Sequence, residues 1–382
     1  MNKLFTIIFI IIITIQLNAQ TYSFMFDGLS RNYIVHLPTG YNSANKYPLV
    51  FNLHGYTSDA IQEQFYTQMS TTADNNGFIV VYPNGTPIGT GGNFWNVGFA
   101  PSPIDDIGFI NALIDTMDSK FSINLNRVYS CGMSNGGYMS YNLACELSDR
   151  IAAVASVTGS MTNSMIASCN PTRTVPTMQI HGTTDPTVAY SGSINSMNID
   201  TLVKYWQTKN VCTGTVETTA VPNTVTTDNC TAEFIRIPFC NSGTENWFYK
   251  VTNGGHTWPG AALSIPGSNT NMDFNASQRI WDFFNMYTLQ GTRTNIGNNI
   301  ISTLKIYPNP SVDFLRIEGD QLFNVTNVKV LDILGNVVYE NNLESQETSL
   351  DIDIASLSNG NYILVCTNSN GNSFKNKFAV VK

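Results

Sequence analysis

Apolar positions along this chain fall into two alternating patterns. Nearly continuous apolar runs occur at Tyr47-Pro48-Leu49-Val50-Phe51-Asn52-Leu53, Phe78-Ile79-Val80-Val81-Tyr82, Ile151 to Val157, Val175 to Ile180 and Trp247-Phe248-Tyr249-Lys250-Val251. A strand covered on both faces reads this way, which predicts a parallel sheet. Between the runs, Ile107, Ile110, Ile114, Met117 and Phe121 recur at helical spacing, with Asp106 placed as the N-cap. Further helices are expected near 60–70 and 201–208, and in a closing segment that sets Ile280, Phe283, Phe284 and Tyr287 on one face. Two strand-like runs from Thr21 to Leu37 predict an antiparallel opening hairpin. Strands alternating with helices make the main domain α/β and doubly wound.

The pattern changes after Gln290. A polar stretch leads into short alternating strands punctuated by Pro308-Asn309-Pro310, Leu334-Gly335-Asn336 and Asn359-Gly360-Asn361. That predicts a small all-β sandwich. At the other end, Lys3 precedes an apolar run from Leu4 to Ile15, and Leu17-Asn18-Ala19 offers a small residue for cleavage. This reads as a secretory signal peptide, with a membrane anchor as the alternative. The expected organisation is a signal peptide (1–19), an α/β domain (20–290), a linker (291–303) and a β-sandwich (304–382).

Composition narrows the picture. The chain has 382 residues, 42% of them hydrophobic, and a net charge of -8. Charged residues are 12% of the total, about half the usual share. The acidic balance excludes a nucleic-acid footprint. An exported chain can oxidise its seven cysteines. No cysteine spacing resembles a zinc site, and no metal or organic cofactor is implied. Sequence leaves the connectivity open; a bridge within the group Cys212, Cys230 and Cys240 is favoured, and Cys131 is expected to be a buried thiol.

The chemistry centres on Val128-Tyr129-Ser130-Cys131-Gly132-Met133-Ser134-Asn135-Gly136-Gly137. An apolar strand runs into Gly-x-Ser-x-Gly and a helical pattern follows at once, the context of a nucleophile elbow. A serine hydroxyl needs a base, and the base needs an orienting acid. Of four histidines, only His256, in a glycine-rich loop after the last strand, is C-terminal to a plausible acid. That matches the Ser, Asp, His order of α/β-hydrolases. Asp185, just past a strand end and pinned by Pro186, is the chosen acid; Asp105, Asp106 and Asp273 are rivals. The backbone N–H groups of Asn135 and Tyr56 are the expected oxyanion donors. Trp95 and Trp258 are candidate substrate-facing rings, with core packing the alternative.

Five ordered motifs then form a recognisable set: Leu53-His54-Gly55, Asp105-Asp106-Ile107-Gly108-Phe109-Ile110, Gly132-Met133-Ser134-Asn135-Gly136-Gly137, His181-Gly182-Thr183-Thr184-Asp185 and Gly255-His256-Thr257-Trp258-Pro259-Gly260. Together they resemble the polyhydroxybutyrate depolymerase and feruloyl esterase group, which overlaps carbohydrate esterase family 1, over about residues 22–289. The resemblance implies an α/β-hydrolase fold and a triad of Ser134, Asp185 and His256. One departure is Ala189, where family members often carry proline.

Ile306-Tyr307-Pro308-Asn309-Pro310, Val330-Leu331-Asp332-Ile333-Leu334-Gly335 and Leu357-Ser358-Asn359-Gly360-Asn361-Tyr362-Ile363 resemble the C-terminal sorting domain of the type IX secretion system. That resemblance implies outer-membrane secretion machinery as a partner and an extracellular or cell-surface location. The alternative for this tail is a carbohydrate-binding sandwich. The expected function is a secreted serine esterase acting on feruloyl or acetyl esters of plant polysaccharide. A polyester depolymerase is the alternative within the same class, and a catalytically inactive surface-binding protein the alternative from another.

Overall fold

A computed structural model describes residues 19–292 except Thr90, Ser264 and Pro266, and residues 305–382 except 319–324, 333–334, 344–348 and 369–372. The expected signal peptide, apart from Ala19, and the expected linker, apart from 291–292, lie outside the described residues. The chain divides into two compact units, Met1–Thr292 and Arg293–Lys382.

A ten-stranded sheet forms the first unit's frame. Its strands are β1 (Ala19–Phe26), β2 (Leu29–His36), β3 (Tyr47–Leu53) and β4 (Ile79–Pro83), then, beyond a two-stranded ladder of β5 (Thr86–Pro87) and β6 (Asn93–Phe94), β7 (Ile123–Met133), β8 (Ala153–Val157), β9 (Thr177–Gly182), β10 (Glu217–Val221), β11 (Thr231–Cys240) and β12 (Thr244–Thr252). Their order is β1-β2-β4-β3-β7-β8-β9-β12-β11-β10. Strands β4, β3, β7, β8, β9 and β12 run parallel. The flanking hairpins are antiparallel. Because β4 lies on one side of β3 and β7 on the other, the strand order reverses at β3, where ligands bind in open α/β sheets. This is the α/β-hydrolase fold.

Both faces of the sheet are covered, so its central strands show no polar alternation. Val128 joins a core with Phe109, Ile110, Leu143 and Trp206, from α3 (Asp106–Lys120), α4 (Asn135–Glu146) and α6 (Ile199–Lys209). Its neighbour Tyr129 points the other way and stacks on Phe284 of α7 (Ala276–Phe284), ring centroids 4.8 Å apart. Alternate residues of one strand therefore feed two different cores.

Several local expectations are corrected. The helix near 60–70 is two helices, α1 (Ala60–Thr67) and α2 (Met69–Asn76), because Gln68 between them adopts a left-handed conformation, φ 53°. Asp106 is not the N-cap of α3. Asp105 caps it, accepting from the Gly108 N–H at 2.7 Å, while Asp106 is buried against Arg31 at 2.6 Å. Tyr287 lies past the end of α7, in a short strand. The cysteine-bearing segment after α6 forms the edge hairpin β10–β11. Cys212 is bridged to Cys240, within the favoured group, and Cys131 is a buried thiol as expected. A second bridge, Cys145–Cys169, ties the end of α4 to the residue after α5 (Asn163–Ser168).

The second unit is all β. A three-stranded sheet (Lys305–Tyr307, Phe314–Glu318, Ser349–Asp353) and a four-stranded sheet (Val325–Leu331, Val337–Asn342, Gly360–Asn368, Ser373–Val380) share one core. Leu315, Ile317 and Ile352 from the first meet Val328, Val330 and Leu364 from the second, as in a sandwich.

Replacing Cys145 and Cys169, 24 positions apart, together with alanine should lower unfolding stability by about 3.5 kcal/mol, the chain-entropy value for a loop of this size. Urea midpoints report it; an unchanged midpoint would show that the bridge constrains nothing.

Candidate active site

The parallel strands end in register. Leu53 pairs with Gly132, Met133 with Val157, Val157 with Ile180, and Gly182 with Val251. The segments leaving β3, β7, β9 and β12 thus emerge side by side at one sheet edge. These segments carry Tyr56, Ser134, Asp185 and His256.

Ser134 stands between β7 and α4 with φ 54° and ψ -119°. L-residues rarely adopt this conformation, and it persists only where its surroundings enforce it. The enforcement is visible. The Ser134 N–H is tied to the Val157 carbonyl at 2.8 Å. A Cβ on Gly132 would lie 2.5 Å from the Leu53 carbonyl oxygen, and one on Gly136 1.9 Å from it. Only glycine at both positions lets the turn close against β3. The Leu53-His54-Gly55 turn is adjacent as well: a Cβ on Gly55 would sit 3.5 Å from that of Ser134. Tyr56 follows in this turn with its side chain exposed. Asn135 is the first residue of α4, where the helix itself provides no acceptor for the N–H.

The acid and the histidine meet directly. His256 Nδ1 lies 2.8 Å from Asp185 Oδ2, with 13% of the His256 side chain and none of the Asp185 side chain exposed. The other carboxylate oxygen, Oδ1, accepts from the Thr187 and Val188 N–H groups at 2.8 and 2.9 Å. Two loops are stapled to make this contact. Thr183 N donates to Val251 O, Thr184 N to Gly254 O, and Asn253 N to Thr183 Oγ1. A Cβ on Gly182 would lie 2.2 Å from the Gly254 carbonyl oxygen, so the loops close only over a glycine. Asp273, a rival acid, is occupied elsewhere: its Oδ1 accepts from the Thr224 and Val225 N–H groups.

Two other histidines stay neutral. His54 Nε2 accepts from the Gly85 N–H at 2.9 Å, and its Nδ1 donates to Gly55 O at 2.7 Å. His181 lies 3.4 Å from Asp185 Oδ2 and is fully buried. Burial holds both imidazoles well below their ordinary value, at about 4.

The two tryptophans are corrected from substrate-facing to structural. Trp95 and Trp258 are each 1% exposed. Trp95 Nε1 donates to His54 O at 3.0 Å, bracing the turn beside Ser134 from beneath. The glycine-rich loop around it is firmly held: the Asn135 side chain exchanges two hydrogen bonds with the Trp95 backbone, and Asp106 Oδ2 accepts from the Asn96 N–H at 2.7 Å. Trp258 Nε1 donates to Ser277 Oγ at 3.1 Å. Neither ring is free to stack on a ligand. The clamping role of the Asn135 side chain escapes sequence reading, because its partner is a backbone forty positions away.

A family model described as esterase PHB depolymerase matches residues 31–240, more than half the chain and including Ser134 and Asp185. The chain belongs to this family. Residues 305–381 match the secretion system C-terminal sorting domain, which marks this family member for secretion through the type IX system. Among curated relatives, the bifunctional acetylxylan esterase/xylanase XynS20E of Neocallimastix patriciarum is 28% identical over 273 residues, covering 71% of this chain and 36% of that protein. Feruloyl esterase B of Piromyces equi is 30% identical over 237 residues, 59% of this chain and 42% of that one. This chain therefore spans less than half the length of either relative. Among solved structures, the acetyl xylan esterase from Aspergillus awamori aligns with a TM-score of 0.49 at 18% identity, over 65% of this chain and 96% of that one.

The depressed imidazoles have a readable consequence. Unfolded histidine binds a proton near pH 6.5, whereas His54 and His181 in the folded chain do so only near 4. Between these values the unfolded state holds more protons, so the contribution of each to stability is lost as pH falls from 6.5 towards 4. In NMR titrations, at least two of the four histidine ring resonances should stay at neutral-form shifts down to pH 5. Ordinary midpoints for all four would contradict this burial.

Proposed function

We propose that the protein is a secreted serine esterase. In this reading Ser134 Oγ attacks an ester carbonyl while His256 Nε2 takes its proton, and Asp185 orients the imidazole and stabilises the imidazolium. The oxyanion of the tetrahedral intermediate is held by the N–H groups of Tyr56 and Asn135. His256 then protonates the departing alcohol, and the acyl-enzyme is released by water that His256 activates. The observation that carries this reading is the 2.8 Å pair of His256 Nδ1 and buried Asp185 Oδ2, at the same end of the sheet as a serine held at positive φ. Fixing Nδ1 against the carboxylate leaves Nε2 to serve the serine.

For the substrate, feruloyl or acetyl esters on plant polysaccharide are the first choice, supported by relatives named as feruloyl and acetylxylan esterases. A polyester substrate is the second reading, favoured by the description of the matching family model. The reading includes no cofactor. The tail would engage the outer-membrane secretion machinery. An inactive binding protein on this fold has less support, because serine, histidine and acid are all present.

A fluorophosphonate should modify the purified protein once, on Ser134, and Ser134→Ala should abolish both the adduct and ester hydrolysis, a fall of at least about 10^4-fold. Mass spectrometry reads the adduct. Release from methyl ferulate, acetylated xylan and polyhydroxybutyrate film reads the substrate class. A folded protein that gains no adduct and cleaves none of the three overturns the esterase reading.

A further inference from the structure

His181 opens the motif that carries the acid, yet the triad leaves it without a role. Its ring is fully buried, and each nitrogen has a defined partner. Gln179 Nε2 lies 2.9 Å from Nδ1. The amide of Gln179 has only one orientation that satisfies its surroundings: Oε1 accepts from the Tyr141 hydroxyl at 2.8 Å, and Nε2 also donates to Gly159 O at 2.9 Å. Nδ1 is therefore an acceptor, and the ring proton sits on Nε2. It is donated to Val188 O, 2.8 Å away, and the same nitrogen lies 3.4 Å from Asp185 Oδ2. That carboxylate oxygen is the one His256 holds.

We infer that His181 is a positioning residue for the acid, and that Tyr141 and Gln179 fix the tautomer in which it acts. The inference rests on the esterase reading above. The chain Tyr141, Gln179, His181, Asp185, His256 begins on α4, the helix that follows Ser134, crosses β9 and ends at the base. It therefore ties the acid to the helix that follows the nucleophile. His181 also anchors the acid loop at Val188, whose own N–H donates to Asp185 Oδ1. Other titratable groups around the ring are Tyr190, whose ring centroid is 6.1 Å away, Lys250, its register partner on β12, and Tyr138, which feels the charge of Asp185.

The test is a variant series on the full chain, assayed with p-nitrophenyl acetate. His181→Leu should lower kcat about fivefold, the scale of one neutral hydrogen bond, at unchanged KM. His181→Gln, whose amide can donate from nearly the same place, should restore most of kcat. Tyr141→Phe should give a smaller loss in the same direction. Imidazole nitrogen NMR of the wild type should show His181 with its proton on Nε2, a readout independent of turnover. Wild-type kcat in His181→Leu would overturn the inference and leave the esterase reading intact. So would a loss that follows melting temperature alone without rescue by glutamine, or an Nδ1–H tautomer. A wild type inert to esters and to fluorophosphonate would overturn both.

Discussion

One backbone approach governs the site: the turn at Ser134 closes directly against the last carbonyl of β3. Leu53 O lies where side chains at both Gly132 and Gly136 would have to be. This contact forces the serine to positive φ and brings the Leu53-His54-Gly55 turn beside it. Everything nearby serves to hold that geometry. Trp95 fills the space beneath the turn, Asn135 grips the Trp95 backbone, and Asp106 holds the next residue. The buried pair of Asp106 with Arg31 is better understood as fixing this loop than as a source of stability, since burial of two charges roughly offsets their attraction.

A second close approach, Gly182 against Gly254, does for the acid and the histidine what the first does for the serine. It lets two loops lie backbone to backbone, where main-chain hydrogen bonds help bring His256 to Asp185. Loops from separate strands are thereby joined to each other. Preorganisation of this kind is where catalytic sites gain most, because no reorganisation is needed when charge develops. Its cost is a concentration of buried polar groups: His54, Gln179, His181 and Asp185 are all buried, and each has hydrogen-bonding partners.

The C-terminal unit has a different physical character. Its core draws on both of its sheets, and much of its charge is spent on exposed pairs such as Arg316–Asp351. Surface pairs of this kind add little stability. The match to a secretion sorting domain gives this unit a task separate from chemistry, in keeping with a chain whose Ser134, Asp185 and His256 all lie in the first unit.

Much of this protein could be read along the chain. Continuous apolar runs gave the parallel strands, because burial on both faces leaves no polar alternation. Gly-x-Ser-x-Gly after such a run marked the sharp turn, because glycine is demanded there by main-chain crowding that any sequence making the turn must respect. With four histidines, order along the chain singled out His256. What the sequence could not decide was burial and partnership across distance. Trp95 and Trp258 look like binding rings in isolation, and only the packing of α7 and the strand ends puts them inside. Asp105 and Asp106 are adjacent and alike, yet one caps a helix in solvent while the other is drawn into the core by an arginine seventy-five positions earlier. The Cys145–Cys169 bridge and the chain from Tyr141 to His181 likewise depend on elements that meet only after folding. Local chemistry is written in neighbouring residues; the environment that selects among its uses exists only once the sheet has brought distant segments together.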